Sequence, residues 1–267
     1  MISATCELTS TERLAPDHYL LQIDAPKIAS ETRPGQFVHV RVPRTHDPLL
    51  RRPLSVMLKD GRKGWIRLLV RVAGRGTNIL ANLAEGSALE IMGPLGNPFA
   101  LPEPGQEVLL VAGGVGVAPL IHLADALHTS EHKSYIRGCF GAETEDTLVC
   151  WNDFAGRCDE FYVRTEDGSA GDKGLVTGAV AAQLHRGNID AVYACGPPPM
   201  MKRVAEMSTD ADVVCYCSFE QRMGCGIGAC LGCVVPGVEG EYLRVCTEGP
   251  VFDSTRLDWE AIVDDAT

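Results

Sequence analysis

The tightest constraint in this chain is a cysteine block near its C-terminus. Cys225, Cys230, Cys233 and Cys246 are spaced C-x4-C-x2-C-x12-C. The first three match the plant-type spacing for a two-iron two-sulfur (2Fe-2S) cluster, whose fourth thiolate arrives later in the chain. In MGCGIGACLGC, Gly224, Gly226, Gly228 and Gly232 let the backbone wrap tightly and bring N–H groups toward the sulfurs. CVVPGVEGEYLRVC then reads as a hairpin that returns Cys246 to the site. A structural zinc ion is the competing occupant, but zinc sites usually carry two C-x2-C-type pairs and this block has one. The segment from Ser218 onward is too short for a core of its own and needs a metal staple.

The other seven of the eleven cysteines are Cys6, Cys139, Cys150, Cys158, Cys195, Cys215 and Cys217, whose default is a small buried hydrophobe. The N-terminus, MISATCELTSTE, lacks the basic and apolar regions of a signal peptide. The longest apolar run, residues 108–121, is broken by Gly113, Gly114 and Gly116 and is too short to span a bilayer. The expectation is a cytoplasmic protein with no membrane segment. In that compartment thiols stay reduced, and a dense cysteine cluster serves metal or redox chemistry. A formal net charge of −11 argues against a nucleic-acid partner, because phosphate binding needs a basic face.

Upstream of the block, 267 residues leave room for two ordinary domains. Residues 1–98 read as all-β, with strands over 18–25, 36–42, 54–58, 65–72 and 88–93 between Pro, Gly and Asp turns. This spacing predicts a small antiparallel barrel. PFALPEPGQE reads as a linker. Residues 107–217 alternate strands over 108–112, 134–140, 160–164 and 191–195 with helices over 119–128, 177–185 and 197–207. Alternation of this kind implies a parallel sheet covered on both faces. Residues 218–267 are the cluster segment. The predicted fold class is a β barrel plus an α/β domain, with a small C-terminal iron–sulfur segment.

Two loops of the α/β region point to a nucleotide. VLLVAGGVGVAPL is a buried strand, a glycine turn and a helix start. There Gly113, Gly114 and Gly116 remove side chains where a pyrophosphate approaches, and the helix N-terminus offers N–H groups. The loop departs from G-x-G-x-x-G and, standing alone, also fits a plain tight turn. Tyr193-Ala194-Cys195-Gly196-Pro197-Pro198-Pro199-Met200 ends a later strand. Ligands of open α/β sheets bind beyond the carboxyl ends of strands, so the two loops define one crevice. Cys195 either meets a nicotinamide ring or packs as a core cysteine.

In the barrel, Arg51-Arg52-Pro53-Leu54-Ser55 sets a guanidinium and a hydroxyl where they can grip a phosphate or a ring edge. Leu69-Val70-Arg71, followed by Gly74-Arg75-Gly76-Thr77, looks like a strand feeding a phosphate-binding helix start. Glu220 precedes the cluster and sits either near a flavin or, more simply, as a solvated surface carboxylate.

In this order, R-P-x-S, G-T, G-G-x-G-x-x-P and C-G-P-x-x-M resemble the motifs of the ferredoxin–NADP reductase superfamily. Within it, SFEQRMGCGIGACLGC followed by RVCTEGPVFD is similar to the electron-transfer subunits of NAD-dependent dihydroorotate dehydrogenases. The resemblance covers essentially the whole chain. It implies FAD on the barrel, held by Arg52, Pro53, Leu54, Ser55, Leu69, Val70, Arg71, Gly76 and Thr77. It implies NAD in the crevice of Gly113, Gly114, Gly116, Pro119, Cys195, Gly196 and Pro197, and the 2Fe-2S cluster on the four cysteines of the block. Glu143 and Glu145, with no arginine cluster beside them, favour NAD over NADP.

The resemblance further implies a partner, a catalytic subunit that carries FMN and oxidises dihydroorotate to orotate, within a heterotetramer. Electrons would run from that FMN to the cluster, then to FAD, then to NAD, in pyrimidine biosynthesis. Related reductase subunits serve a hydrogenase or a ferredoxin:NADP transhydrogenase, and the local motifs do not separate these partners. A zinc-stapled nucleotide-binding interaction module is the alternative of another class.

Overall fold

The computed structural model describes residues 1–42, 47–129 and 133–262. Alternating residues in ISATCELTSTERLA build the first and longest strand, β1 Ile2–Ala15. Sequence periodicity places no strand before residue 18. β1 escapes it because its apolar stripe is short and gives way to polar residues after Leu8. Only Cys6 and Leu8 are buried, while Thr, Ser and Glu fill the outward positions. The barrel continues with β2 His18–Asp24, β3 Phe37–Val40, β4 Arg52–Asp60, β5 Trp65–Arg71 and β6 Ala88–Leu95. It closes in the order β1-β2-β5-β4-β3-β6, with every pairing antiparallel. Inward residues from each strand, including Leu8, Ile23, Val38, Val56, Leu68, Val70 and Ile91, fill it. Two short helices, α1 Pro26–Glu31 and α2 Arg75–Ala81, lie in the connections.

The α/β half uses near-continuous apolar strands, as a sheet buried on both faces requires. These are β7 Glu107–Gly113, β8 Tyr135–Ala142, β9 Glu160–Thr165, β10 Asp172–Lys173, β11 Ala191–Cys195 and β12 Val214–Ser218, all parallel. Helices α3 Val117–Thr129, α4 Trp151–Ala155, α5 Val176–Arg186 and α6 Pro198–Asp210 connect them. Two loops meet at the centre of the sheet because β7 and β11 are adjacent in the order β10-β9-β8-β7-β11-β12. That placement lets residues about 80 positions apart in sequence form one crevice.

The C-terminal segment carries the hairpin β13 Val234–Pro236 and β14 Tyr242–Arg244, in the register Val234↔Arg244. It then contributes β15 Val251–Asp253, antiparallel to β12, as the last strand of the large sheet. The expectation of a segment needing a metal staple is therefore incomplete, since strand pairing also ties it down. Asn97 fastens it to the barrel as well: its Nδ2 donates to the carbonyls of Thr247 at 3.2 Å and Glu248 at 2.9 Å.

The barrel and the sheet meet in a shared apolar cluster. Met57, Leu58 and Leu69 of the barrel pack in the same cluster as Val117, Leu120 and Ile121 of α3. His122, 3% exposed, closes this junction with Nδ1 3.2 Å from the Val56 carbonyl. Burial drives its pKa down to about 4, with the charge of Lys59 adding to the effect, so the ring is neutral at neutral pH.

Candidate redox site

The barrel end nearest the sheet brings the R-P-L-S and G-T elements together. β3 and β4 pair in the register Val40↔Arg52, His39↔Pro53 and Phe37↔Ser55. Arg52 lies directly over Gly76 at the start of α2, where an added Cβ would overlap the guanidinium. Arg52 Nη1 donates to the Leu50 carbonyl at 2.7 Å. Thr77 shapes the turn before α2, its Oγ1 accepting from the N–H of Ala73 at 3.0 Å and Gly74 at 3.2 Å. The Arg52 guanidinium and the start of α2 thus lie side by side, a donor set suited to a pyrophosphate. Leu69 and Val70 of β5 have buried side chains, so only their backbone is available to a ligand. Arg71 is exposed and pairs with Asp17 at 3.5 Å.

The crevice forms where the β7 and β11 loops touch backbone to backbone. A Cβ on Gly116 would overlap the Cys195 carbonyl oxygen and stand 2.8 Å from the Gly196 nitrogen. A Cβ on Gly113 would stand 2.9 Å from Pro197 Cδ, and one on Gly196 would stand 3.0 Å from Gly113 Cα. Gly113 and Gly116 are therefore taken up by loop packing. Gly114, with φ +51° and nothing within 4 Å of its missing Cβ, is the glycine left open. Pro119 is buried in the first turn of α3 and shapes the helix start.

Cys195 ends β11 in a half-buried position. Desolvation, helped by the Glu220 carboxylate, pushes its thiol up to about 12, against a hydrogen bond from Ser218. It is a neutral thiol at neutral pH, suited to packing against a ring and unsuited to nucleophilic attack. Glu220 fits only half of the surface reading. Its side chain is open to solvent, yet surrounding protein desolvates the carboxyl and raises its pKa, while Arg71 of the barrel opposes the shift. Glu220 thus faces both Cys195 of the crevice and Arg71 of the barrel. Its place just past β12, at the carboxyl edge of the sheet, is the sequence signal that marks it.

The four cysteines of the block come together as two pairs. Cys225 lies beside Cys230, and Cys233 beside Cys246. Backbone donors point at the sulfurs: Gly228 N–H to Cys246 Sγ at 3.1 Å, and the N–H groups of Ile227 and Cys230 to Cys225 Sγ at 3.4 Å each. Burial works against ionisation of Cys225, but these donors and the Cys230 thiol bring it down to about 6. One tetrahedral zinc ion needs its ligands around a single point. The cysteines here stand in two pairs instead. Two thiolates per metal, with N–H donors to the sulfurs, fit a two-iron cluster. Cys233 and Cys246 are each 2% exposed, whereas Cys230 is open at the surface.

Three family models match successive stretches of the chain. Residues 5–100 match the oxidoreductase FAD-binding domain, residues 110–206 the oxidoreductase NAD-binding domain, and residues 220–258 the iron-sulfur cluster binding domain of dihydroorotate dehydrogenase B. The electron transfer subunit of dihydroorotate dehydrogenase B (NAD(+)) from Desulforamulus reducens is 42% identical over 250 residues, covering 92% of this chain and 95% of the relative. The same subunit from Bacillus caldolyticus is 41% identical over 249 residues, covering 92% and 94%. A chain of the NADH-dependent reduced ferredoxin-NADP oxidoreductase superposes with a TM-score of 0.86 at 34% identity, covering 96% of this chain and 91% of its own. With its barrel, nucleotide crevice and paired cysteines matched end to end, the chain belongs to the family of dihydroorotate dehydrogenase B electron transfer subunits.

Proposed function

We propose that this subunit takes electrons from an FMN-containing, dihydroorotate-oxidising catalytic subunit and delivers them to NAD, in a cytoplasmic heterotetramer with two copies of each chain. The observation that carries the reading is the cysteine block: two thiol pairs held against the barrel, with one edge open at Cys230. Two apolar side chains flank that edge, Ile227 at 47% and Leu231 at 63% exposure, as befits a face that a protein partner covers. All eleven cysteines are free, which suits a reducing compartment. No helix of the described residues is long and apolar enough to cross a membrane.

In this reading residues 1–98 hold FAD, 107–217 hold NAD and 218–267 hold the cluster. Arg52, Ser55, Gly76 and Thr77, with Pro53 and Leu54 between them and the backbone of Leu69 to Arg71, form the FAD cradle. Gly114 and the Cys195-Gly196-Pro197 turn receive NAD, in a crevice whose width Gly113, Gly116 and Pro119 set. Bound FAD supplies the step between two-electron hydride exchange and one-electron cluster chemistry. The protein positions these groups. Cys195 stays uncharged beside the crevice, and Glu220 presents a carboxyl between barrel and sheet.

The test is co-expression with a TIM-barrel FMN flavoprotein and measurement of dihydroorotate-dependent NADH formation. Cys230→Ser is expected to abolish it while FAD stays bound and NADH still bleaches the flavin. Undiminished transfer to NAD in that variant would refute the route. The 34% identity to a chain of the ferredoxin-NADP oxidoreductase favours one second reading, the same module serving a ferredoxin-linked partner. That reading predicts electron exchange with ferredoxin and none with dihydroorotate.

A further inference from the structure

One polar side chain stands between the barrel and the cluster loop. His39 lies in the otherwise apolar β3, Phe37-Val38-His39-Val40, and is fully buried. Its cross-strand partner is Pro53, within the Arg52-Pro53-Leu54-Ser55 stretch. The cluster loop closes over its ring: a Cβ on Gly226 would stand 2.7 Å from His39 Nδ1. Gly226 directly follows Cys225.

Neither ring nitrogen makes a well-formed hydrogen bond, although the carbonyls of Arg51 and Cys225 lie close enough to act on the ring. Buried polar atoms left in this condition are costly and uncommon. A valine or leucine would fill the same strand position at no such cost. The two carbonyls are not equivalent. That of Arg51 already accepts from Arg52 Nη1 at 3.4 Å. A neutral imidazole has a single N–H to give, and of the two carbonyls beside it that of Cys225 is the one that belongs to the cluster loop.

We propose that His39 is a positioning residue for electron transfer: with the cluster in place, the loop settles so that the ring N–H donates to the carbonyl of Cys225 and holds the cluster loop on the FAD-bearing strand. The ring also fills the space between the two redox sites with packed atoms. Tunnelling falls off exponentially with distance and decays faster across a gap than through packed protein. A loop that drifts from the strand therefore slows transfer without touching either cofactor's ligands. The inference rests on the placement of FAD on β4 and of the cluster on the four cysteines.

The experiment compares His39→Phe and His39→Asn in the full-length protein with the wild type. Bound FAD and iron are quantified, the dithionite-reduced cluster is examined by electron paramagnetic resonance, and cluster reduction is followed by rapid mixing with NADH. His39→Phe keeps the bulk and removes the donor. It is expected to retain FAD and wild-type flavin bleaching, to shift the resonance signature, and to slow cluster reduction roughly tenfold or more. His39→Asn keeps a donor and should restore most of the rate. Iron lost from His39→Phe but retained in His39→Asn supports the same hydrogen bond. A His39→Phe protein with full cofactors, an unchanged resonance signature and an unchanged rate overturns the proposal. So does iron loss in both variants, which would leave bulk alone as the cause. A wild-type protein without FAD would instead strike the underlying placement of the cofactors.

Discussion

Replacing Gly116 with alanine tests whether backbone packing between the β7 and β11 loops sets the nucleotide crevice. The added methyl would overlap the Cys195 carbonyl oxygen and lie 2.8 Å from the Gly196 nitrogen. Both obstacles are main chain. Neither can rotate aside as a side-chain tip would, and both sit at the end of β11, whose pairing with β7 runs as far as Cys195↔Ala112. Relief must come from parting the two loops by several tenths of an ångström. Overpacking of this kind costs about 1–3 kcal/mol. For a chain of this size each kcal/mol lowers Tm by roughly 2–4 °C, so a fall of about 5 °C is expected. On the proposed placement of NAD, parting the loops also displaces N–H groups that would meet the dinucleotide. A loss of about 1.4 kcal/mol there weakens NADH binding tenfold.

Gly114→Ala is the matched control for the stability readout alone, because Gly114 lines the proposed NAD site. Nothing lies near its missing Cβ, and its φ of +51° adds a left-handed backbone strain of about 1 kcal/mol without parting the loops. The assays are thermal unfolding of the flavin-loaded protein and the NADH concentration that half-saturates flavin bleaching. Gly116→Ala with wild-type Tm and wild-type half-saturation would refute the argument.

Three further predictions address other parts of the molecule. Asn97→Ala removes both donors to the Thr247 and Glu248 carbonyls and should destabilise the cluster segment by about 1–3 kcal/mol, read as faster iron loss to a chelator with FAD retention unchanged. His122 is held neutral in the fold with a pKa of about 4, below its unfolded value. The unfolded chain therefore binds the extra proton first, and stability is lost as pH falls from about 6.5 to 4, by up to about 3 kcal/mol. His122→Asn should flatten that part of the stability–pH curve. Replacing exposed Glu143 and Glu145 beyond β8 with glutamine should narrow the preference for NADH over NADPH, more so at low ionic strength, as measured by the two kcat/KM values.

The residue types and their spacing already determined the chemistry and the architecture. A C-x4-C-x2-C-x12-C block, strands that alternate with helices, and two glycine loops at strand ends each encode local geometry, and local geometry is what a linear pattern can hold. The barrel, the parallel sheet and the 2Fe-2S assignment follow from such patterns. β1 was missed although Ile2, Ala4, Cys6 and Leu8 alternate with Ser3, Thr5 and Glu7, because the stripe is short, built partly of small residues, and gives way to polar residues after Leu8.

Only the tertiary structure decided which residues meet across long sequence separations. It made Gly113 and Gly116 packing glycines and left Gly114 as the open one, since the crowding atoms belong to residues 195–200. It carried β15 into the large sheet and pinned the cluster segment through Asn97, roughly 150 positions away. It set His39 between the barrel and Cys225, and Glu220 between Cys195 and Arg71. A single histidine in a strand, or a glutamate after one, has no periodic partner in sequence. Its role is defined by what the fold packs against it.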